Sequence, residues 1–412
     1  MADEGSWIHD WNAPEETPPP PVPPPPELDD ETLRDGLQHP SAKAPPLQAK
    51  REFLHILCAV GIQAADIGMP AASLQALEDC VFLAREVARH RLPLKPNCAA
   101  RTVGKDVRAV VEISQRAGLA VEVAAFIGCS EARRRVEGWD LAYLRKITRE
   151  TVSLAVKAGL PVMYVTEDST RTSPEVLRDL FLAAIESGAR RICAADTAGH
   201  ALPHGAARLV GFLKQVAAES GEKVAVDWHG HMDRGMGLAC SLAAWKAGAA
   251  RIHGSALGLG ERVGNTPLDL LIVNLKMEGA WPRDPRALSD YVAWTSRWTG
   301  VPVPWNYPVF SPEAFRTGTG VHASALLKAR QMGDAVLEDH VYSSVPAAWF
   351  GRRQTIAVGP MSGDSNIVAW LLEHREEVTE ERVAAIRALA KKSDSLLSDD
   401  EIRDALQRLE TP

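Results

Sequence analysis

The chain has 412 residues, 46% of them hydrophobic and 24% charged, with a formal charge of −7. Acidic and basic residues are interspersed, which excludes the basic stripe of a nucleic-acid binder and the polybasic patch of a membrane-surface protein and leaves small-molecule chemistry. Six cysteines without a CxxC pair, no basic-then-apolar leader and no apolar run long enough for a bilayer predict a cytoplasmic protein with reduced thiols and no transmembrane helix.

In chain order, residues 1–27 come first and carry PPPPVPPPP, which suits neither a helix nor a sheet interior and is expected to be a disordered or extended arm. Beyond it, short apolar runs alternate with amphipathic segments. Strands are predicted just before Arg34 and around 62–67, 92–97, 120–127, 161–166, 190–195, 223–228 and 250–255, each followed by a helical pattern such as SPEVLRDLFLAAIESGA. Alternation of this kind implies a parallel sheet, and eight units within about 250 residues predict a (β/α)8 TIM barrel. The barrel is placed at 28–280, with a linker and mainly helical C-terminal subdomains over 281–412. A doubly wound open sheet is the alternative, weakened because no GxGxxG follows the first strand.

Polar residues follow the apolar runs at a regular interval. Asp35, Asp66, Glu167, Asp196, His229 and Glu261 sit at predicted strand ends, spaced by about one βα unit of ~30 residues or a multiple of it. Barrel enzymes collect their chemistry at those ends, so these side chains are expected to share one mouth. In DWHGHMDRG, His229 and His231 leave the same face of a strand and can close on one metal ion, facing Asp35 across the barrel. Taken alone, a His-x-His is more often an edge-strand accident than a metal site.

The motifs ETLRDGLQ, ADIGMPAAS, TEDSTRTSPE, AADTAG, HGHMDRGMGLACSLAA and GLGERVGNTPLD, in that order, resemble those of the metallolyase-type barrels. This superfamily includes 2-isopropylmalate, homocitrate and citramalate synthases and 3-hydroxy-3-methylglutaryl-CoA lyase. The resemblance implies that Asp35, His229 and His231 bind a divalent metal (Zn, Mn or Mg), with Asn265 in or near its sphere. A 2-oxo acid would chelate that ion through carboxylate and ketone, and Arg34 would stabilise the developing oxygen charge. Asp66, Arg101, Met163, Glu167 and Thr197 are implied as substrate contacts, Thr197 for the carboxylate.

The lyase branch carries a catalytic cysteine in the loop that here reads GLGERVGN, without one. The condensing branch is therefore expected, with acetyl-CoA as co-substrate. Its implied machinery is Glu261 paired with His322 from the second subunit of a homodimer, with Tyr342 assisting. Departures from the family pattern are Asp66 for a usual Glu, Leu37 for a common acid, and an apolar-poor first strand, ELDDETL. The arginine with which homocitrate enzymes hold a distal carboxylate is replaced by Val162, Met163 and Tyr164. With Met163, Ala99 and Ala100 as an apolar wall, a monocarboxylic acceptor is expected, 2-oxoisovalerate by default. Retro-aldol cleavage of a hydroxyacyl substrate, and metal binding without turnover, stay open as alternatives. A separate regulatory domain, and leucine feedback through it, are not expected.

The remaining polar and aromatic features have plainer readings. Asp168 and Arg171 are expected to pair and stiffen their loop, His200 and His204 to be polar surface, and the tryptophans of 294–305 to pack barrel against tail.

Overall fold

A computed structural model describes residues 7–12 and 21–410. Of the arm predicted at 1–27, positions 1–6 and 13–20 lie outside the described residues, and Glu27 already belongs to the first strand. Its described end, 21–26, has no regular structure, and Pro24 accepts a hydrogen bond from Trp245 Nε1 at 2.9 Å.

Eight parallel strands close into a barrel in sequence order: β1 (Glu27–Asp30), β2 (Ala64–Asp66), β3 (Lys95–Arg101), β4 (Glu122–Gly128), β5 (Val162–Glu167), β6 (Arg191–Asp196), β7 (Ala225–Gly230) and β8 (Arg251–Gly254). Closure comes from β1 pairing with both β2 and β8, with Asp29 in register with Ala64 on one side and His253 on the other. Helices follow the strands, beginning with Leu47–Val60 and ending with Leu268–Met277. They start and stop where the sequence supplies caps: Ser73 accepts from Ala76 N to open Leu74–His90, and Gly61 closes Leu47–Val60 at φ 98. The third strand starts later than the predicted 92–97, since Leu92 to Leu94 are irregular with a bend at Pro93.

The acid-rich first strand is stable because other strands bring cations to it. Alternate residues point inward. Glu27 meets Lys95 at 2.5 Å and both Arg191 and Arg251 at 3.0 Å, while Asp29 accepts both contacts of Asn97 Nδ2 at 2.9 Å. Arg251, only 1% exposed, also reaches Glu122 at 2.6 Å. The lower barrel is thus filled by an ion network instead of the branched aliphatics usual there.

The described residues divide into two compact units, 21–302 and 7–12 with 303–410. The barrel unit runs past position 280, because helix Ala287–Thr299 stacks Tyr291 and Trp294 on Phe53 at centroid distances of 5.5 and 4.2 Å. Trp294 is accordingly buried, whereas Trp305 is 76% exposed. The second unit pairs β9 (Arg316–Thr317) with β10 (Thr355–Ile356) and packs helices Asp364–Glu373, Glu380–Ala390 and Asp399–Glu410 around Trp370, Leu371 and Ile386. Among the described residues no helix is long and apolar enough to cross a membrane, and all six cysteines are free.

Candidate metal and substrate site

At the C-terminal end of the strands a cavity of about 270 Å³ opens among residues of the barrel unit. Asp35, Asp66, Glu167, His229 and Glu261 line it, as the strand-end spacing predicts. Asp196 does not. Its two oxygens accept from Thr170 Oγ1 (2.6 Å), His200 N (2.8 Å) and Ala201 N (3.0 Å), so it holds the loop after β6 closed.

Asp35, His229 and His231 each offer a ligand atom within 4.8 Å of the others, all buried. The arrangement is not the predicted one across the barrel: only β8 separates β7 from β1, so the three come from nearly adjacent strand ends. His231 lies just past β7, bridged to Asn265, and its ring stands 4.9 Å from that of His229 at 72°. Two buried atoms here have no hydrogen-bond partner, His231 Nδ1 and Asn265 Oδ1. Buried polar atoms are seldom left unpaired, and two imidazoles, a carboxylate and an amide oxygen together form a fitting donor set for a divalent cation. The loop carrying Asn265 leaves room for nothing larger than glycine at 260: with φ 157, a Cβ there would stand 2.3 Å from Asn265 Nδ2.

Arg34 ties the floor together. Its Nε donates to Asp66 at 2.6 Å, one terminal nitrogen to Asp35 at 2.7 Å, and the other lies 3.3 Å from Glu31. Burial opposes its charge, and the three carboxylates outweigh that and hold it cationic. Burial likewise opposes ionisation of Asp35, but Arg34 keeps it below the usual carboxylate range. Asp66 sits deeper, and burial pushes it up to about 7 against the pull of Arg34. Burial also raises Glu167. His231 is pushed down to about 4, first by burial and then by His229, which keeps its ring neutral and available as a ligand.

The apolar wall is built by strand alternation. Ala99 on β3, Ala124 and Phe126 on β4, and Met163 and Val165 on β5 face the cavity. Ala100, predicted beside Ala99, is fully buried outside the cavity lining, as the pleat requires. Tyr164 likewise turns outward to Thr148, 2.7 Å away. Cys193 reaches the cavity floor, but burial holds its thiol well above the usual value, so no reactive thiolate is present there.

Thr197 lines the cavity while its hydroxyl accepts from Asp168 N at 2.9 Å. Asp168 and Arg171 pair at 2.7 and 2.8 Å, as expected, and His200 and His204 are exposed. Arg101 is not brought to the cavity: it leaves the end of β3 to clamp Asp106 at 2.8 and 3.1 Å, with its side chain 55% exposed. Glu261 is exposed at the cavity rim of the barrel unit. His322 and Tyr342 belong to the C-terminal unit, where their rings lie 3.9 Å apart at 30°.

Three acidic or basic residues of the cavity lining, Glu31, His253 and Arg262, escape the sequence analysis. Arg262 pairs with Asp233 and donates to the Thr197 carbonyl at 2.6 Å. Glu31 and His253 meet at 2.9 Å behind His229. A signal for the last two exists in hindsight: Asp29 and Glu31, and Arg251 and His253, are charged at i, i+2 and so share an inward face.

A family model described as HMGL-like matches residues 26–290. A homocitrate synthase, AksA, from Methanopyrus kandleri is 33% identical over 368 residues, covering 87% of this chain and 86% of the relative. A 2-isopropylmalate synthase from Methylacidiphilum infernorum is 33% identical over 313 residues, 73% of this chain but 60% of its own length. Among solved structures, an HMG-CoA lyase from Bacillus subtilis matches with a TM-score of 0.58 at 21% identity, over 69% of this chain and 97% of the lyase, a likeness of fold alone.

Proposed function

The chain belongs to the HMGL-like family, and on that premise we propose that it is a condensing synthase, joining the methyl carbon of acetyl-CoA to the ketone carbon of a 2-oxo acid. Hydrolysis of the thioester then releases CoA and a 2-alkylmalate-type acid. The observation that carries this reading is the buried set Asp35, His229, His231 and Asn265 beside a cationic Arg34, opening on an apolar wall. Synthases of this kind among the relatives support the condensing chemistry.

Asp35, His229, His231 and the Asn265 carbonyl oxygen would hold a divalent ion, zinc, manganese or magnesium. When bound, that ion polarises the ketone as a Lewis acid. Arg34, fixed by Asp35 and Asp66, presents its remaining charge to the oxygen that becomes anionic and needs no reorganisation to do so. Thr197, with its hydroxyl proton free, is placed to donate to the acceptor's carboxylate. The methyl proton of acetyl-CoA is removed by His322, oriented by Glu261 and assisted by Tyr342, with His322 supplied by the second subunit of a homodimer. A cytoplasmic setting fits the free thiols.

Met163, Ala99, Ala124 and Phe126 offer no counter-charge for a second carboxylate, which favours a monocarboxylic acceptor such as 2-oxoisovalerate. A retro-aldol lyase is the weaker reading, since the loop from Gly258 to Asn265 has no cysteine.

The test is CoA release by the metal-loaded protein from acetyl-CoA across a panel of 2-oxo acids, beside His229→Ala. Release that depends on one acceptor and disappears in the variant is expected. No release with any acceptor, but cleavage of a 3-hydroxyacyl-CoA, would replace the synthase with the lyase.

A further inference from the structure

Glu31 occupies a position for which the synthase reading has no use. It follows β1 directly, is 4% exposed, and points into the barrel behind the cation site. One oxygen, Oε1, lies 2.9 Å from His253 Nδ1 and 3.3 Å from Arg34. The other, Oε2, stands 2.9 Å from His229 Nδ1. That last approach is bent away from the ring N–H axis, and Oε2 has no hydrogen bond of good geometry elsewhere.

We propose that Glu31 is a positioning residue for the cation site, setting the tautomer and orientation of His229 through Nδ1 so that Nε2 faces the ion. The inference rests on the metal reading given above. A carboxylate flanked by Arg34 and His253 presents only lone pairs, so an imidazole nitrogen 2.9 Å away is at ease only if it carries the hydrogen. The proton on Nδ1 leaves Nε2 as the basic nitrogen. A carboxylate behind a ligating imidazole also raises its basicity toward the ion.

His253 anchors the device. Its Nδ1 meets Glu31, and its Nε2 lies 3.4 Å from Asp227 Oδ2, with Asp29 at 3.7 Å from Nδ1. Held between three carboxylates, the ring has an acid oxygen facing each of its two nitrogens. The trio of Glu31, His229 and His253 also has cation-binding spacing. Yet with both His253 nitrogens committed, that trio serves as support for the ion and not as its binding place.

The experiment titrates metal-free protein with Co²⁺, reading affinity by calorimetry and ligand geometry by the visible absorption of the bound ion. Wild type is compared with Glu31→Gln, Glu31→Asp and His229→Ala, each checked for folding by circular dichroism. Glu31→Gln keeps the size but can turn an amide N–H toward Nδ1. Glu31→Asp keeps the charge beside Arg34 and His253 but withdraws it from His229. Both are expected to weaken Co²⁺ binding about 10- to 100-fold and to shift the absorption bands. Wild-type affinity and spectrum in both folded variants, with binding lost in His229→Ala, would overturn the role of Glu31 and leave the metal reading standing. Unchanged binding in His229→Ala would overturn the metal reading and this inference with it.

Discussion

Asn265 donates its amide nitrogen to Asp35 Oδ1 at 3.0 Å while its own carbonyl oxygen stays buried without a partner. The same nitrogen reaches the Leu259 carbonyl at 2.9 Å, so the side chain both pins the loop and offers an oxygen to the cation site. Asn265→Ala is expected to lower divalent-metal affinity about tenfold, measured by competition with a chelating dye. Undiminished affinity would reduce Asn265 to a loop tie.

Arg34 holds Asp35 and Asp66 through separate nitrogens. Lysine keeps the charge but cannot span both carboxylates. Arg34→Lys should therefore reduce kcat by about 10²–10³, the loss seen when a preorganised charge-stabilising donor is removed, with a smaller change in KM for acetyl-CoA. Steady-state kinetics decide it, and an unchanged kcat would remove Arg34 from the chemistry.

Met163 forms the apolar wall with Ala124 and Cys193. Met163→Ala should turn selectivity toward bulkier 2-oxo acids, by roughly 10-fold or more in the ratio of kcat/KM values, the usual worth of a few methylenes in a pocket. If the ratio for a branched and an aromatic acceptor stays constant, the side chain of the acceptor does not reach Met163.

Glu261 and His322 lie in different compact units, and the proposal puts them in one site across two subunits. Asp35→Ala and His322→Ala should each be inactive alone. Refolded together, they should recover up to about one quarter of wild-type activity, since half the dimers are mixed and each has one intact site. Absence of recovery in demonstrated mixed dimers would place both residues in one chain's site, and full activity of His322→Ala alone would remove His322 from the chemistry.

At the base of the barrel, burial opposes ionisation of Glu27, but Arg251, Lys95 and Arg191 bring it down from 4.5 to about 2. A folded-state value below the unfolded one means stability is present above pH 4.5 and lost as pH falls from there through about 2. The shift caps the contribution at about 3 kcal/mol, and solvent screening of this partly exposed group cuts it to about 1–2. Chemical denaturation of Glu27→Gln should show a flatter decline over that window. A decline as steep as wild type would assign the acid sensitivity to other carboxylates.

The sequence by itself determined the succession of eight strand and helix units, because hydrophobic periodicity and breaker residues act locally. It also placed Asp35, Asp66, Glu167 and His229 at strand ends, since the repeat length of a βα unit fixes that spacing, and it paired His229 with His231. What it could not decide is which inward-facing side chains meet. Glu31 and His253 are 222 positions apart in the chain and 2.9 Å apart in the barrel, a contact made only by closing β1 onto β8. Alternation also fails to tell a residue aimed at the cavity from one turned aside at the rim, so the sequence predicts Arg101 as a substrate contact although Asp106, in the first turn of the following helix, captures it. Asp196 is held in the same manner by two backbone donors of its own loop, His200 and Ala201, and by the Thr170 hydroxyl from the loop after β5. Position along a strand is a local property, whereas a charged side chain's partner is settled by whichever opposite charge or donor the closed barrel brings within about 3 Å.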